Sequence, residues 1–258
     1  LLATTAKAVT KAAPEADTGM TSDEERIFKA NEELDKLKQS RAAGASSSVF
    51  KTFGEVKLVR LRGELMQDAV PEGQGRMAAI LGLEDSDVVS ACEESAEGDV
   101  VAAVNFNAPG QVVIAGSAAA VERAIEACKA KGARKAMPLP VSVPSHCALM
   151  KGAAEQLAEA LEDIRFNDAV IPVVQNVNAE PARDAEVLKA NLLKQLYSPV
   201  LWTNSVQRLS TEGVGVAVEC GAGKVLAGLI KRIDRSLPVH GIESPDSLAE
   251  ALKAFGQS

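Results

Sequence analysis

The chain has 258 residues, of which 47% are hydrophobic but only 3% are aromatic, so aliphatic side chains must supply its core. Its formal net charge is −7 and its basic residues form no stripe, which argues against a nucleic-acid partner. No apolar run of about 18 residues occurs, so the sequence predicts no membrane span. Four cysteines without a C-x-x-C pair indicate free thiols rather than a disulfide or metal framework.

The N-terminal 53 residues differ in composition from the rest and are predicted to form a separate segment, disordered at first and then helical. Residues 1–14 are rich in Ala, Thr and Lys and lack acids, which is typical of a disordered tail or of a transit-peptide remnant. A cytoplasmic location is expected in the first case, and a plastid or mitochondrion in the second. Residues 41–48, RAAGASSS, have the composition of a flexible linker.

One amphipathic helix is predicted within this segment, over residues 23–42. Ser22 followed by Glu25 matches a capping box, and apolar residues such as Phe28 and Leu34 then recur at helical spacing. Its apolar face is a candidate contact for a protein partner.

From residue 54 onward, regular elements follow one another closely. A helix is predicted over 54–70 and ends at the turn Pro71–Gly73. The next elements are a strand at 76–82, a helix at 85–96, strands at 99–105 and 110–116, a helix at 118–131 and a strand at 134–140. This βαββαβ order predicts a ferredoxin-like subdomain over 76–140.

The remainder alternates between helices and short apolar strands. The predicted elements are helix 147–162, strand 171–177, helices 183–196 and 201–212, strand 214–219, helix 223–234, strand 238–242 and helix 245–255. Such alternation is typical of a parallel sheet covered on both faces. The expected fold class is therefore α/β, with the ferredoxin-like subdomain inserted into a larger parallel-sheet domain over 54–75 and 141–258. Only three strands remain for that sheet, so we expect it to be incomplete.

Arg62 stands out on the helix predicted over 54–70. At about 100° per residue, Leu58 and Leu65 lie on one apolar arc with Arg62 in its middle, whereas Arg60 lies on the opposite, solvated face. An inward guanidinium needs an anion. The helical geometry leaves two possibilities open, a carboxylate of the protein or one belonging to a ligand.

His146 is one of two histidines, and it lies between a proline-punctuated extended stretch, PLPVSVPS, and a predicted helix. A histidine at such a junction is well placed to act as a general base if its other ring nitrogen is held by a hydrogen bond. The alternative is a structural histidine at the edge of the core. His240 lies in a short predicted strand, where a structural role is favoured.

Two further features have both a local and a functional interpretation. Asn105 ends a predicted strand, where its amide could face a ligand or serve only the turn that follows. Residues 221–224, GAGK, join a strand to a helix and could bind an anion on free amides. The pattern is not a P-loop, and tight packing of the turn is the favoured reason for its glycines.

Six segments between residues 54 and 252 are informative when taken in order. They are VRLRGELMQDAVPEG, MAAILGL, VNFNAPGQVVIAG, PLPVSVPSHCALM, QLYSPVLW and GAGKVLAGLIKRI. Together they resemble the malonyl-CoA:acyl-carrier-protein transacylases of bacterial type II fatty-acid synthesis. PSHCALM and NFNAPGQVVIAG are the most specific of them.

The resemblance implies a larger α/β-hydrolase-like domain with an inserted ferredoxin-like subdomain. It also implies transfer of malonyl from coenzyme A to acyl carrier protein through an acylated serine, with no cofactor besides the substrates. His146 matches the family's catalytic base, and Gln195 matches the residue whose main-chain carbonyl orients that base. Arg62 matches the arginine that holds the malonyl carboxylate, and Asn105 matches an asparagine near the active site.

The sequence departs from the family upstream of Arg62. The family's nucleophilic serine sits in G-H-S-x-G, and that motif does not occur in these 258 residues, nor does the P-G-Q-G type loop near the family's N-terminus. The nucleophile is therefore unknown, and none of the serines at positions 46–48 is expected to be it. Three explanations are considered for this departure. The gene model could be truncated, the protein could be a non-catalytic relative that serves as a structural or interaction subunit, or a second chain could supply the missing part.

Overall fold

We analysed a computed structural model, which describes residues 47–141, 143–221 and 223–255. The disordered start predicted for the N-terminal segment and the helix predicted over 23–42 lie outside these residues. The chain divides into two compact units, residues 1–64 and residues 65–258, and each is described by itself. No helix in the described part of the chain is both long and apolar enough to cross a membrane.

The first described helix, α1, spans Ser47–Asp68. Its start is a correction, because the sequence predicted a linker through residue 48 and a helix only from residue 54. The residues in between, SSVFKTF, contain neither proline nor glycine, and a single glycine at position 54 lowers helix stability by only about 1 kcal/mol. The helix therefore passes through the position that had suggested its beginning.

An antiparallel four-stranded sheet follows in the second unit, with strand order β2-β3-β1-β4. Two helices lie between its strands in the chain, which gives the βαββαβ connectivity and strand order of a ferredoxin-like fold. The elements are β1 (Gly75–Leu81), α2 (Asp85–Ser95), β2 (Val101–Ala108), β3 (Gln111–Ser117), α3 (Ala118–Ala130) and β4 (Lys135–Pro138). The boundaries of the subdomain at 76 and 140 stay a prediction.

Each face of this sheet carries its own apolar cluster, because successive side chains of a strand point to opposite faces. The first cluster packs the sheet against α2 and α3, and includes Ala78, Ile80, Val112 and Ile114 from the strands. The second cluster includes Met77, Val104, Val113, Ala115 and Cys147. Cys147 adjoins His146, so the second face is the one that packs against the histidine segment.

The rest of the chain contains mostly helices. The elements are a 3₁₀ turn (Ala148–Met150), α4 (Lys151–Glu162), β5 (Val173–Val174), β6 (Pro181–Ala182), α5 (Ala185–Lys194), α6 (Trp202–Thr211), β7 (Ala217–Glu219), α7 (Val225–Ile233), β8 (Val239–Gly241) and α8 (Pro245–Ala254). Helices and short strands alternate as predicted, and the α/β class is confirmed.

One predicted strand pairs differently from the expectation. The sequence predicts that residues 171–177 join a parallel sheet with two later strands, but β5 pairs antiparallel with β6. The connection between β5 and β6 is only a few residues long, and a parallel pair needs a crossover of about a dozen residues or more. The other two strands, β7 and β8, do form a parallel pair joined through α7.

Candidate active site

His146 is buried, with 5% of its surface exposed, and is held at two points by the end of helix α5. Its backbone N–H donates to the carbonyl oxygen of Leu196 at 2.9 Å. Its ring nitrogen Nδ1 lies 2.5 Å from the carbonyl oxygen of Gln195. A carbonyl oxygen can only accept, so Nδ1 carries the proton, and in the neutral ring the basic lone pair is on Nε2.

The two accepting carbonyls are available because α5 ends there. Gln195 is the C-terminal cap of α5, and the last carbonyls of a helix have no intrahelical partner. The negative end of the helix dipole also lies at this terminus, which stabilises the positive charge that the imidazole gains when it accepts a proton. The helix end thus sets the tautomer of the ring.

The backbone of His146 adopts a left-handed conformation, with φ of 66°. This region is uncommon for residues other than glycine and costs on the order of 1 kcal/mol, although histidine tolerates it better than most. The hydrogen bonds to consecutive carbonyls hold the residue in this conformation. Such local strain is concentrated at functional sites.

Asn105 is brought to the same side of the sheet by a β-bulge. In β2 the pairing with β3 shifts between Ala103 and Asn105, so Val104 is an extra residue in the strand. Simple alternation would put Asn105 on the face covered by α2 and α3. With the bulge, Asn105 lies opposite Val113, on the face that packs against Cys147. Asn105 and the histidine segment therefore share one face of the sheet.

Arg62 is buried in the other unit, with 4% of its surface exposed. Its Nε and Nη2 atoms have no hydrogen-bond partner among the described residues. Burial lowers the pKa of this guanidinium. Arg60, by contrast, is exposed and donates to Glu64 at 2.7 Å. The sequence leaves two anions open for Arg62, a carboxylate of the protein or one of a ligand. Among the described residues, no carboxylate of the protein binds Nε or Nη2.

Carboxylates of the protein itself bind amides at the GAGK turn and at the helix start that follows it, and in the turn the Gly223 N–H donates to Oε2 of Glu243 at 3.0 Å. Both oxygens of the buried Glu219 side chain accept from the N-terminal amides of α7, those of Leu226 and Ala227, each at 2.9 Å. Tight packing was the wrong reason for the glycines, because a Cβ at Gly221 or Gly223 would meet open space. Their φ angles of 144° and 90° favour glycine instead.

Cys147 adjoins the histidine but is not a suitable nucleophile. Its Sγ donates to the carbonyl oxygen of Pro144 at 3.1 Å, and burial raises the pKa of the thiol to about 11. The thiolate, which is the reactive form, is therefore scarce near neutral pH. The described residues contain no group of three metal-ligating side chains.

The structure gives no support for the serines at positions 46–48 as nucleophiles. Ser46 lies outside the described residues, and Ser47 and Ser48 fall in the first turn of α1, where nothing is described of their side chains. Sequence reasoning missed Glu219 and the carbonyl of Leu196. Glu219 offered a weak signal, an acid shortly before a helix start, whereas a main-chain acceptor 50 residues from His146 has none.

Comparison with known proteins shows the family of this chain. A model described as "Acyl transferase domain" matches residues 41–246. The chain belongs to the acyl transferase domain family. A malonyl CoA-acyl carrier protein transacylase from Escherichia coli K12 is 54% identical over 198 residues, which cover 77% of this chain. A relative of the same name from Bacillus subtilis 168 is 42% identical over 240 residues, which cover 93% of this chain and 73% of the relative.

A solved complex of a type II PKS acyl-carrier protein with its malonyl-transacylase is similar in structure as well. It has a TM-score of 0.75 and 52% identity, and the match covers 77% of this chain and 64% of that chain. The chain also spans 64% of the length of the E. coli relative. The E. coli relative and the solved malonyl-transacylase are thus matched over somewhat less than two thirds of their length.

Proposed function

We propose that this chain carries the general base and the substrate-binding residues of a malonyl-CoA:acyl-carrier-protein transacylase. The observation that supports the proposal most is the fixed ring of His146, whose Nδ1–H donates to the Gln195 carbonyl oxygen at 2.5 Å. The sequence segments around both residues are those that resemble the transacylases. Relatives more than half identical to this chain bear that name.

The chemistry begins when Nε2 of His146 accepts the proton of a serine hydroxyl as that oxygen attacks the thioester carbonyl of malonyl-CoA. The C–S bond then breaks, and the imidazolium gives this proton to the departing coenzyme A thiolate, which leaves as the thiol. In the second half, the thiol of the carrier protein's phosphopantetheine gives its proton to Nε2 and its sulfur attacks the carbonyl of the serine ester. The ester C–O bond then breaks, and the imidazolium returns the proton to the serine oxygen. The nucleophile itself is unassigned in this sequence.

Arg62 has the role of a carboxylate clamp in this proposal. Malonyl differs from acetyl by a free carboxylate, and the planar guanidinium fork accommodates such a group with two hydrogen bonds. The unsatisfied Nε and Nη2 atoms of Arg62 support this role. Asn105 is assigned to the substrate-binding set because it shares a sheet face with the histidine segment.

The partners in this proposal are malonyl-CoA and a phosphopantetheinyl acyl carrier protein, which are substrates rather than resident cofactors. The similar solved complex of a malonyl-transacylase with an acyl-carrier protein supports the second partner. The bacterial relatives favour a cytoplasmic location over an organelle.

Intact-mass spectrometry after incubation with malonyl-CoA tests the proposal. If a serine of this chain serves as the nucleophile, a malonyl adduct should form, disappear when holo acyl carrier protein is added, and fail to form in His146→Ala. His240→Ala is the matched control, because His240 lies in β8 and contacts the ring of Phe255. Equal adduct formation in His146→Ala and in the unchanged chain would contradict the assignment of the base.

Titration calorimetry separates the transacylase from the alternative, a non-catalytic interaction subunit. Binding of malonyl-CoA without any adduct, abolished by Arg62→Leu, would support that subunit. Absence of both binding and adduct would contradict the transacylase role for this chain.

A further inference from the structure

The segment over residues 195–203, here called the connecting segment, covers the outer edge of strand β2. The sheet order leaves β2 at an edge, where polar backbone groups need partners. Val200 supplies two of them: its N–H donates to the Val104 carbonyl oxygen at 2.8 Å, and its carbonyl oxygen accepts from the Phe106 N–H at 2.9 Å. The Thr203 hydroxyl donates to the Phe106 carbonyl oxygen at 3.1 Å.

The same segment begins at the two carbonyls that hold the histidine. Gln195 accepts from the ring of His146 and Leu196 accepts from its backbone N–H. The side chain of Leu196 is fully buried, with 0% exposed, which fixes that end of the segment in the protein interior. One stretch of nine residues therefore holds His146 at its start and β2 at its end.

The part of β2 that it holds is the bulge that carries Asn105. Val104 and Phe106, the residues bonded to Val200, flank Asn105 on both sides. A bulge leaves one residue unpaired toward the neighbouring strand and locally disrupts the ladder, so its conformation depends on additional contacts. The connecting segment supplies these contacts from the open edge.

We propose that Thr203 is a positioning residue that, through the connecting segment, fixes Asn105 and His146 relative to each other. The inference rests on the proposed function only in taking those two as site residues. Among the described residues, two backbone hydrogen bonds and one side-chain hydrogen bond join this segment to β2. The side-chain bond is the one from Thr203. It can therefore be removed by substitution, whereas the backbone bonds cannot.

Hydrogen exchange and NMR on the full chain test this role without requiring catalysis. Thr203→Val removes the hydroxyl at nearly constant shape, and Thr203→Ser restores it. The control is Thr211→Val, which removes a similar hydroxyl-to-carbonyl bond, to Gln207 at 2.9 Å, at the other end of α6. Nitrogen-15 labelling of histidine reports the ring of His146, with His240 as an internal reference.

In Thr203→Val we expect the His146 amide to exchange about fivefold faster or more, together with those of Phe106 and Val200. The two ring nitrogen signals of His146 should move towards each other as the tautomer preference weakens, and the Asn105 side-chain amide signals should shift. Thr203→Ser should return all of these signals to their original positions. A purely local role for Thr203 would accelerate exchange at Phe106 and leave the ring unchanged.

Three results would overturn the inference: an unchanged His146 ring in Thr203→Val, an equal effect in Thr211→Val, or no restoration by Thr203→Ser. If Thr203→Val does not fold, exchange in the unchanged chain decides. The amides of Phe106, Val200 and His146 must then show the same protection, and unequal protection refutes the coupling. Averaged ring tautomers in the unchanged chain would instead contradict the proposed function, which distinguishes the two failures.

Discussion

Replacing Arg62 with leucine should make the protein more stable while it removes binding of a dicarboxylate. The guanidinium is 4% exposed, and two of its nitrogens lack hydrogen-bond partners in the described part of the chain. A buried polar group left without a partner costs about 1–3 kcal/mol, and more when it is charged. Leucine is apolar and removes that cost.

We therefore expect Arg62→Leu to raise the free energy of unfolding by about 1–3 kcal/mol. At about 2–4 °C per kcal/mol for a domain of this size, the midpoint of thermal unfolding should rise by several degrees. Arg60→Leu is the matched control on the same helix, because its side chain is 56% exposed and paired only with Glu64. Loss of such a surface pair changes stability by about 0.5 kcal/mol or less.

Differential scanning calorimetry with and without malonate measures both effects. A ligand that binds only the folded state stabilises it by about 2.7 kcal/mol at one hundred times its dissociation constant. The unchanged chain and Arg60→Leu should show this ligand-dependent shift, and Arg62→Leu should not. If Arg62→Leu instead melts below Arg60→Leu without ligand, the guanidinium is satisfied within the protein and the clamp assignment fails.

The remaining predictions concern stability. Glu219→Gln should lower the free energy of unfolding in urea by about 1–2 kcal/mol, because it removes a charged acceptor from the N-terminus of α7. The exposed Glu250→Gln in α8 should change it by about 0.5 kcal/mol or less, and equal effects would refute the cap. Gly116→Ala should prevent folding, because the added Cβ would overlap the backbone carbonyl of the residue just before β2. In Gly152→Ala, within α4, the added Cβ meets open space, and this variant should be about 0.5–1 kcal/mol more stable. Melting curves followed by circular dichroism measure both effects. Burial raises the pKa of Cys147 from 9.0 to about 11, so the unfolded chain loses that proton first and stability falls as pH rises through this range. Cys147→Ala should lose less stability there, by up to about 1.4 kcal/mol per pH unit, and parallel urea curves for both proteins would contradict the assignment.

Local patterns were sufficient to place Arg62 and Arg60 on opposite sides of one helix. Successive residues of a helix lie about 100° apart around its axis, so their spacing alone shows which residues share a side. The burial of Arg62 and the exposure of Arg60 confirm that assignment. The predicted start of the same helix was wrong. Without a proline, the composition of a segment is only weak evidence that a helix is disfavoured there.

Pairing between distant segments was beyond such patterns. The sequence predicted residues 171–177 to be a parallel strand, whereas this region pairs antiparallel with Pro181–Ala182. That partner strand was too short to be predicted. The glycines of the GAGK turn were explained by packing, whereas the structure assigns them to backbone conformation and the adjacent amides to Glu219.

The sequence by itself determined the helices and most strands, the inward side of Arg62 and the segments that identify the family, because these depend on spacing along the chain. Only the tertiary structure decided that the Leu196 carbonyl binds the backbone of His146 and that a bulge turns Asn105 to the face of the histidine segment. The reason is physical. A main-chain carbonyl is the same in every residue, and a bulge follows from the register of two strands, so neither is encoded in the identity of a single side chain.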